Sequence, residues 1–278
     1  MCRWLAYSGT PILLEELLYR PKHSLIDQSL HARLGVETTN GDGFGVGWYG
    51  VDGPPVPTLF RGIGPAWGDA NLRELAHAIS SPLFLAHIRA STGTPVQQTN
   101  CHPFREGRWL WIHNGAIRDF ARLKRDLVFA VEPALYPGIA GSTDSEVMFY
   151  LALTFGLRDE PVAAVERMVG FVEAVGHAHG VVAPMQMTVA ATDGDRLWAF
   201  RYSSEGNTRS LSYSTEITAL RQLYPDNEVF QRVSDETRVV VSEPIAELEG
   251  AWLPIPESSY LIVQKGADEL GAFHPRTV

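Results

Sequence analysis

The sequence predicts an α+β fold in which two mainly antiparallel sheets carry helices on their outer sides. Three observations point there. Strand-forming segments dominate both ends of the chain, helical periodicity is concentrated in the middle, and strands and helices do not alternate as a doubly wound parallel sheet requires. No internal repeat, low-complexity tract or linker rich in Gly, Ser or Pro divides the chain, so residues 1–278 are expected to form a single domain.

Each element has a local signal. Trp4-Leu5-Ala6-Tyr7 is rich in strand formers, and residues 11–19 read as a short helix with Leu13, Leu14, Leu17 and Leu18 on one face, ended by Pro21. Residues 21–30 are a loop or short helix. Asn40-Gly41-Asp42-Gly43 is turn chemistry leading into a strand over 44–49, whose glycines indicate close backbone approach. Gly53-Pro54-Pro55 turns the chain toward a strand at 58–61, and Asp69 caps a helix running to about Ile79. Apolar strands follow over 83–89 and 109–113, each ending in polar residues where chemistry is expected. Residues 142–155 and 161–177 are helices long enough to cover a sheet, with Pro161 in the first turn of the second. The chain then returns to strands at 187–192, 196–202, 211–214, 238–242 and 260–264, and Asp193-Gly194 turns the first of these into the next.

Bulk properties narrow the function. With 278 residues and 45% apolar composition the chain can bury a full core. A net charge of -9, with no basic cluster interleaved with aromatics, argues against nucleic acid as a partner. Two cysteines are too few for a disulfide scaffold, and no Cys/His spacing suggests a zinc site. The N-terminus lacks a basic region followed by an apolar stretch, and no run of ~18 apolar residues occurs, so a cytoplasmic protein without a membrane partner is expected.

The chemistry begins at Met1-Cys2-Arg3. Removal of the initiator methionine would put a thiol and a free α-amine on one α-carbon, a nucleophile with its own base. Such a nucleophile needs oxyanion donors and charged groups that hold the substrate. Asn114 and the backbone N–H of Gly115, at the end of the 109–113 strand, are a candidate donor pair. Arg89 leaves an apolar strand and suits a carboxylate through two parallel hydrogen bonds. His87 falls on the same face as Arg89, where it is a candidate substrate-binding residue beside Arg89 or could be a satisfied core histidine beneath the site. Asp144, opening the 142–155 helix, suits a substrate ammonium. Each feature also has a bland reading: an Asn-Gly turn, an internal salt bridge at Arg89, a helix cap at Asp144. Cys101 and His102 are neighbours on an extended stretch and point apart, so Cys101 reads as a small buried residue.

In this order, Met1-Cys2-Arg3, His87-Ile88-Arg89 with Thr92-Gly93, Asn100-Cys101-His102-Pro103, His113-Asn114-Gly115 and Thr143-Asp144-Ser145-Glu146 resemble the class II glutamine amidotransferases, N-terminal-nucleophile hydrolases. The resemblance runs nearly the full length, since Val240-Val241-Ser242-Glu243-Pro244 and Trp252-Leu253-Pro254-Ile255-Pro256 look like late strands of its stand-alone branch. It implies a four-layer α/β/β/α sandwich. It also implies Cys2 as nucleophile, Asn114 and Gly115 as the oxyanion hole, Arg89 and Thr92 on the substrate α-carboxylate, and Asp144 on its α-ammonium, without a cofactor. Where the family often has tryptophan and histidine, this chain has Ala90 and Gly93, which implies a more open pocket rim.

The match is strongest to the branch that contains the ergothioneine-pathway γ-glutamyl hydrolase, through Pro21-Lys22-His23-Ser24-Leu25, Gln28-Ser29 and residues 42–49. The implied reaction is hydrolysis of glutamine or another γ-glutamyl amide through a thioester. Because the chain ends at Val278, any ammonia acceptor would belong to a separate synthase, and a homo-oligomer is also open. Two rival readings remain at this point: a catalytically silent γ-glutamyl sensor, and a thiol switch between Cys2 and Cys101.

Overall fold

The computed structural model describes residues 2–30, 39–52, 55–91, 93–246 and 248–277. The first part of the chain forms strands β1 (Arg3–Leu13), β2 (Phe44–Trp48), β3 (Thr58–Gly62) and β4 (Ser80–Ile88), with helices α1 (Glu15–Leu18), α2 (Leu25–Leu30) and α3 (Ala70–Ala78). The middle supplies β5 (Phe104–Glu106), β6 (Trp109–Ile117), α4 (Phe120–Phe129), α5 (Asp144–Thr154), α6 (Pro161–Ala178), β7 (Met185–Thr192) and β8 (Leu197–Ser203). The remainder adds β9 (Ser212–Ser214), α7 (Ile217–Leu223), α8 (Glu228–Arg232), β10 (Arg238–Val241), β11 (Trp252–Pro254), β12 (Ser259–Val263) and β13 (Glu269–Ala272).

The strands form two sheets, ordered β11-β9-β10-β1-β4-β2-β3 and β13-β12-β8-β7-β6-β5. Every pairing in them is antiparallel. Side chains of a strand alternate between faces, and β1 shows what that does here. Leu5 and Tyr7 face outward and pack with Leu14, Leu18, Leu25, Leu72 and Ala76 of the α1–α3 layer. Trp4 and Ala6 face inward and meet Leu110, Ile112 and Ala190 of the second sheet. On the far side, Trp111 and Val189 turn outward onto Leu123, Phe149 and Met168 of α4, α5 and α6. The result is the expected four-layer α/β/β/α sandwich. Helix α5 is buried all round from Ser145 to Leu153, as its nearly continuous apolar sequence requires.

Local signals placed several elements well. Asp69 accepts the Leu72 N–H at 2.8 Å as the cap of α3, and Pro161 opens α6. Residues 11–19 are the main correction. β1 runs on through Pro11 to Leu13, and only Glu15–Leu18 is helical. A register shift between Ser8 and Ile12 absorbs the proline, after which Ile12 and Leu13 resume pairing with Ser81 and Ser80. The strand expected over 109–113 also continues to Ile117, so Asn114-Gly115 is no turn. Helices α4, α7 and α8 and strands β5 and β13 had no strong signal. In α4 the buried stripe is only Leu123 and Leu127, four residues apart among charges. Among the described residues, no helix is long and apolar enough to cross a membrane.

Candidate active site

Cys2 stands at the entry to β1, the central strand of the first sheet. The Arg3↔Ile88 pairing lays this entry against the exit of β4, and Arg89 and Ala90 follow at once. The Ala90 N–H donates to the Cys2 Sγ at 3.4 Å, and the thiol lies 3.5 Å from the Ala90 carbonyl oxygen. Burial pushes the Cys2 thiol up from its ordinary range. The hydrogen bond at Ala90 and the charges of Arg89 and Arg209 oppose that effect without cancelling it. A thiol in this state is protonated at neutral pH and needs a base before it can attack.

The second sheet reaches the same point through β6. Asn114 Nδ2 donates to the Cys2 carbonyl oxygen at 2.9 Å, across the gap between the sheets. Thr188 Oγ1 holds this crossing twice: it donates to the Asn114 carbonyl at 3.3 Å and accepts from the Trp4 indole at 3.1 Å. Beyond Trp111, β6 pairs only with β7 among the described residues, which leaves its other edge open. The N–H of Ile117 points off that open edge, to the Asp144 carboxylate at 2.8 Å. N–H groups two residues apart on an unbroken strand share an edge, so Gly115 aims its N–H there too. A side chain at Gly115 would not fit, because a Cβ would stand 1.9 Å from the Gln186 carbonyl oxygen.

Arg89 is 3% exposed. Its guanidinium donates to the Asp42 carbonyl at 3.1 Å, Ser91 Oγ at 3.2 Å, Thr94 Oγ1 at 2.6 Å and the Pro95 carbonyl at 3.2 Å. All four acceptors are neutral. Among the described residues no carboxylate pairs with Arg89, so the internal salt bridge of the bland reading is absent and a buried positive charge is left beside the thiol.

Asp144 opens α5, but the cap is Thr143, whose hydroxyl accepts the Glu146 N–H at 3.2 Å. Asp144 instead ties α5 to β6 through Ile117 and accepts from the Ser145 N–H at 2.7 Å. His113, also buried, lies 2.8 Å from Ser145 Oγ through Nδ1. Burial lowers its pKa, against the attraction of Asp144.

His87 differs from expectation. It is fully buried, and its ring nitrogens make no hydrogen bond of good geometry among the described residues, the His113 backbone giving only a weak one. Its ring packs against that of His102, tilted by 31° with centroids 4.1 Å apart, and both nitrogens of His102 lack hydrogen bonds among the described residues. Burial holds His87 down to about 3 and His102 well below its usual value. His87 has no exposed surface.

Thr92 lies outside the described residues. Cys101 is buried, with its thiol 3.4 Å from the Gly62 carbonyl, and both cysteines are free. At Gly93 an added Cβ would meet nothing within 4 Å, so the rim has room where the family often carries histidine. Among the described residues, no group of three or more His, Cys, Asp or Glu is placed to hold a metal ion.

Sequence reasoning missed Arg209. Its Nε donates to Gln186 Oε1 at 3.2 Å, and Gln186 stands opposite Ala116, beside the candidate oxyanion donors. Its charge reaches both the Cys2 thiol and His113. Nothing marks it in the polar stretch between β8 and β9, because only the packing of the two sheets brings that stretch to the thiol.

The family model described as class-II glutamine amidotransferases matches residues 22–276, a stretch that leaves out Cys2 itself. The chain is 34% identical to the probable glutamine amidotransferase DUG3 of Saccharomyces cerevisiae, over 95% of this chain and 82% of that protein. It is 36% identical to the γ-glutamyl-hercynylcysteine sulfoxide hydrolase of Mycolicibacterium smegmatis, over 42% of this chain and 52% of that one. Among solved structures, a glutamine aminotransferase class-II domain protein from Silicibacter pomeroyi superposes with a TM-score of 0.75 at 33% identity, covering 99% of this chain and 100% of the other. The glutamine phosphoribosylpyrophosphate amidotransferase of B. subtilis shares the fold, with a TM-score of 0.65 at 16% identity over 99% of this chain and 50% of that one.

Proposed function

This chain belongs to the class II glutamine amidotransferases, and from that premise we propose that it hydrolyses the γ-amide of glutamine or of a larger γ-glutamyl amide, with Cys2 as nucleophile. The observation that carries the reading is the meeting at Cys2 of its thiol, the Asn114 carboxamide from the opposite sheet and the buried charge of Arg89. In this reading residues 1–278 are one amidotransferase domain.

The α-amine of Cys2, freed by loss of Met1, takes the thiol proton directly or through water. The sulfur attacks the γ-carbonyl carbon, and the carbonyl electrons move to an oxyanion that the Asn114 carboxamide and the Gly115 N–H receive. Collapse of this intermediate breaks the C–N bond. The proton passes from the α-amine to the leaving nitrogen, so ammonia or an amine departs and a γ-glutamyl thioester remains. Water then attacks the thioester through a second oxyanion, giving glutamate and the restored thiol. Arg89, with Thr92, holds the α-carboxylate, because a fixed guanidinium without an anionic partner among the described residues gains most from one. Asp144 takes the α-ammonium.

The named relatives differ in leaving group, and the room at Gly93 favours γ-glutamyl amides larger than glutamine. A panel of glutamine and γ-glutamyl amides of increasing size, assayed for glutamate release with wild-type protein and Cys2→Ala, tests the reading. Turnover by the wild type alone supports it. Binding of these compounds without turnover by protein that begins at Cys2 would overturn hydrolysis in favour of a sensor.

A further inference from the structure

A buried charge network lies behind the candidate nucleophile, on the side away from Asn114. Arg3 is 2% exposed and its Nη1 donates to the Cys2 carbonyl at 3.1 Å, the same oxygen that Asn114 binds. The Arg3 Nε lies 2.8 Å from Glu243 Oε2, and Glu243 is 3% exposed. The other Glu243 oxygen, Oε1, lies 2.6 Å from His23 Nε2, and His23 Nδ1 lies 3.2 Å from the half-exposed Asp27 carboxylate. The result is a continuous line from the surface at Asp27, through His23, Glu243 and Arg3, to the backbone of Cys2.

The surrounding chain fixes that line in place. The Gln28 carboxamide lies within hydrogen-bond reach of the carbonyls of His23, Glu243 and Pro244, at 3.1, 3.2 and 3.3 Å. It fastens α2 to the segment that leaves β10. One residue earlier, Ser242 Oγ accepts the Trp4 N–H at 2.9 Å, while the Ser242 N–H donates to the Trp4 carbonyl at 3.0 Å. Both residues that follow Cys2 are thus held by the 242–243 segment.

Taking an Arg–Glu pair out of water costs free energy that apolar packing of the same volume would not, so such a pair is weak as a source of stability. Geometry gives it a different use. Cys2 precedes the first ladder pair of β1, so the ladder alone leaves its carbonyl free to swing. Asn114 fixes that carbonyl from one sheet and Arg3 from the other. Two donors on one oxygen hold the peptide plane that carries the thiol.

We propose that Glu243 and His23 are positioning residues for the nucleophile: they hold the Arg3 guanidinium on the Cys2 carbonyl and so set the direction of the thiol, without touching the substrate. This rests on the reading of Cys2 as nucleophile. It assigns work to Glu243, more than 200 positions from Cys2, and to His23, both on the far side of the strand from the substrate.

The test uses the full chain processed to Cys2, with a γ-glutamyl amide that the wild type turns over. Glu243→Gln keeps the shape and removes the charge. It is expected to lower kcat by ~10²-fold, the scale of a misplaced reacting group, and to leave KM within a few-fold. The rate of Cys2 alkylation by iodoacetamide should fall in parallel, in protein whose melting temperature shows it folded. Should Glu243→Gln not fold, His23→Gln is measured instead. It keeps a donor toward Glu243 but loses the link to Asp27, and a smaller drop in kcat at constant KM is expected. Unchanged kcat and alkylation in a folded variant overturn the proposal, as does a loss carried by KM. A wild type that turns over no γ-glutamyl amide, or a Cys2→Ala variant as active as the wild type, overturns the reading of Cys2 itself, so the two failures are distinguishable.

Discussion

The Asn114 carboxamide binds the carbonyl oxygen of Cys2 at 2.9 Å, joining residues 112 positions apart across the gap between two sheets. An amide nitrogen carries two hydrogens, and this bond uses one of them. The same side chain can therefore hold the backbone of Cys2 and, in the proposed reaction, still offer a proton to a developing oxyanion. Replacing it removes both services.

Asn114→Ala is accordingly expected to lower kcat by ~10²–10³-fold with a smaller change in KM, since the lost bond matters mainly in the transition state. Steady-state kinetics on a γ-glutamyl amide check this. A kcat near that of the wild type would remove Asn114 from the oxyanion hole.

Arg89 satisfies its guanidinium on Asp42, Ser91, Thr94 and Pro95, all neutral acceptors. Arg89→Lys replaces the planar fork with a point charge that cannot span this cage and a carboxylate together. The expected outcome is a raised KM for substrates with a free α-carboxylate and little change for the matching α-ester. An equal loss on acid and ester would show that Arg89 supports the loop and not the ligand.

Met1 decides whether the built-in base exists. With it attached, the Cys2 nitrogen is an amide without a basic lone pair, while burial keeps the thiol protonated. Protein that retains Met1 is expected to turn over γ-glutamyl amides at least ~10²-fold more slowly than protein beginning at Cys2. Intact mass and activity measured on one sample compare the two, and full activity at the mass of the unprocessed chain would refute the mechanism.

The buried ring pair of His87 and His102 predicts acid sensitivity. Both rings are neutral in the folded protein, His87 down to about pH 3, whereas in the unfolded chain they gain protons below about pH 6.5. Between these values the unfolded state binds more protons, so stability is full above the upper value and falls as pH drops toward the lower one. His102→Phe keeps a ring between His87 and Phe104 and removes one titrating group. Its melting temperature should fall less steeply than the wild type's across that window. Parallel curves would mean that other groups govern the acid limb.

The sequence carried the order of the chemistry and the local geometry of most elements. Cys2, Arg89, Asn114 and Asp144 could be named because their residue types, in that order, match one family's motifs. Asp69 as a cap and the inward turn of Trp4 against the outward turn of Leu5 follow from rules that act within a few residues. At Pro11 the local rule failed, because pairing with β4 across a register shift overrode the apolar spacing that suggested a helix.

What only the tertiary structure decided is how distant groups share one point. β1 and β6 lie in different sheets, so the bond from Asn114 to Cys2 depends on how the sheets stack, and Arg209 comes near the thiol for the same reason. Among the described residues, the lack of a carboxylate paired with Arg89, the poorly partnered rings of His87 and His102, and the line from Asp27 through His23 and Glu243 to Arg3 all depend on long-range packing. Periodicity and capping are energies between near neighbours and can be read along the chain. Which charge ends beside which is settled by burial, when surfaces far apart in sequence leave water together.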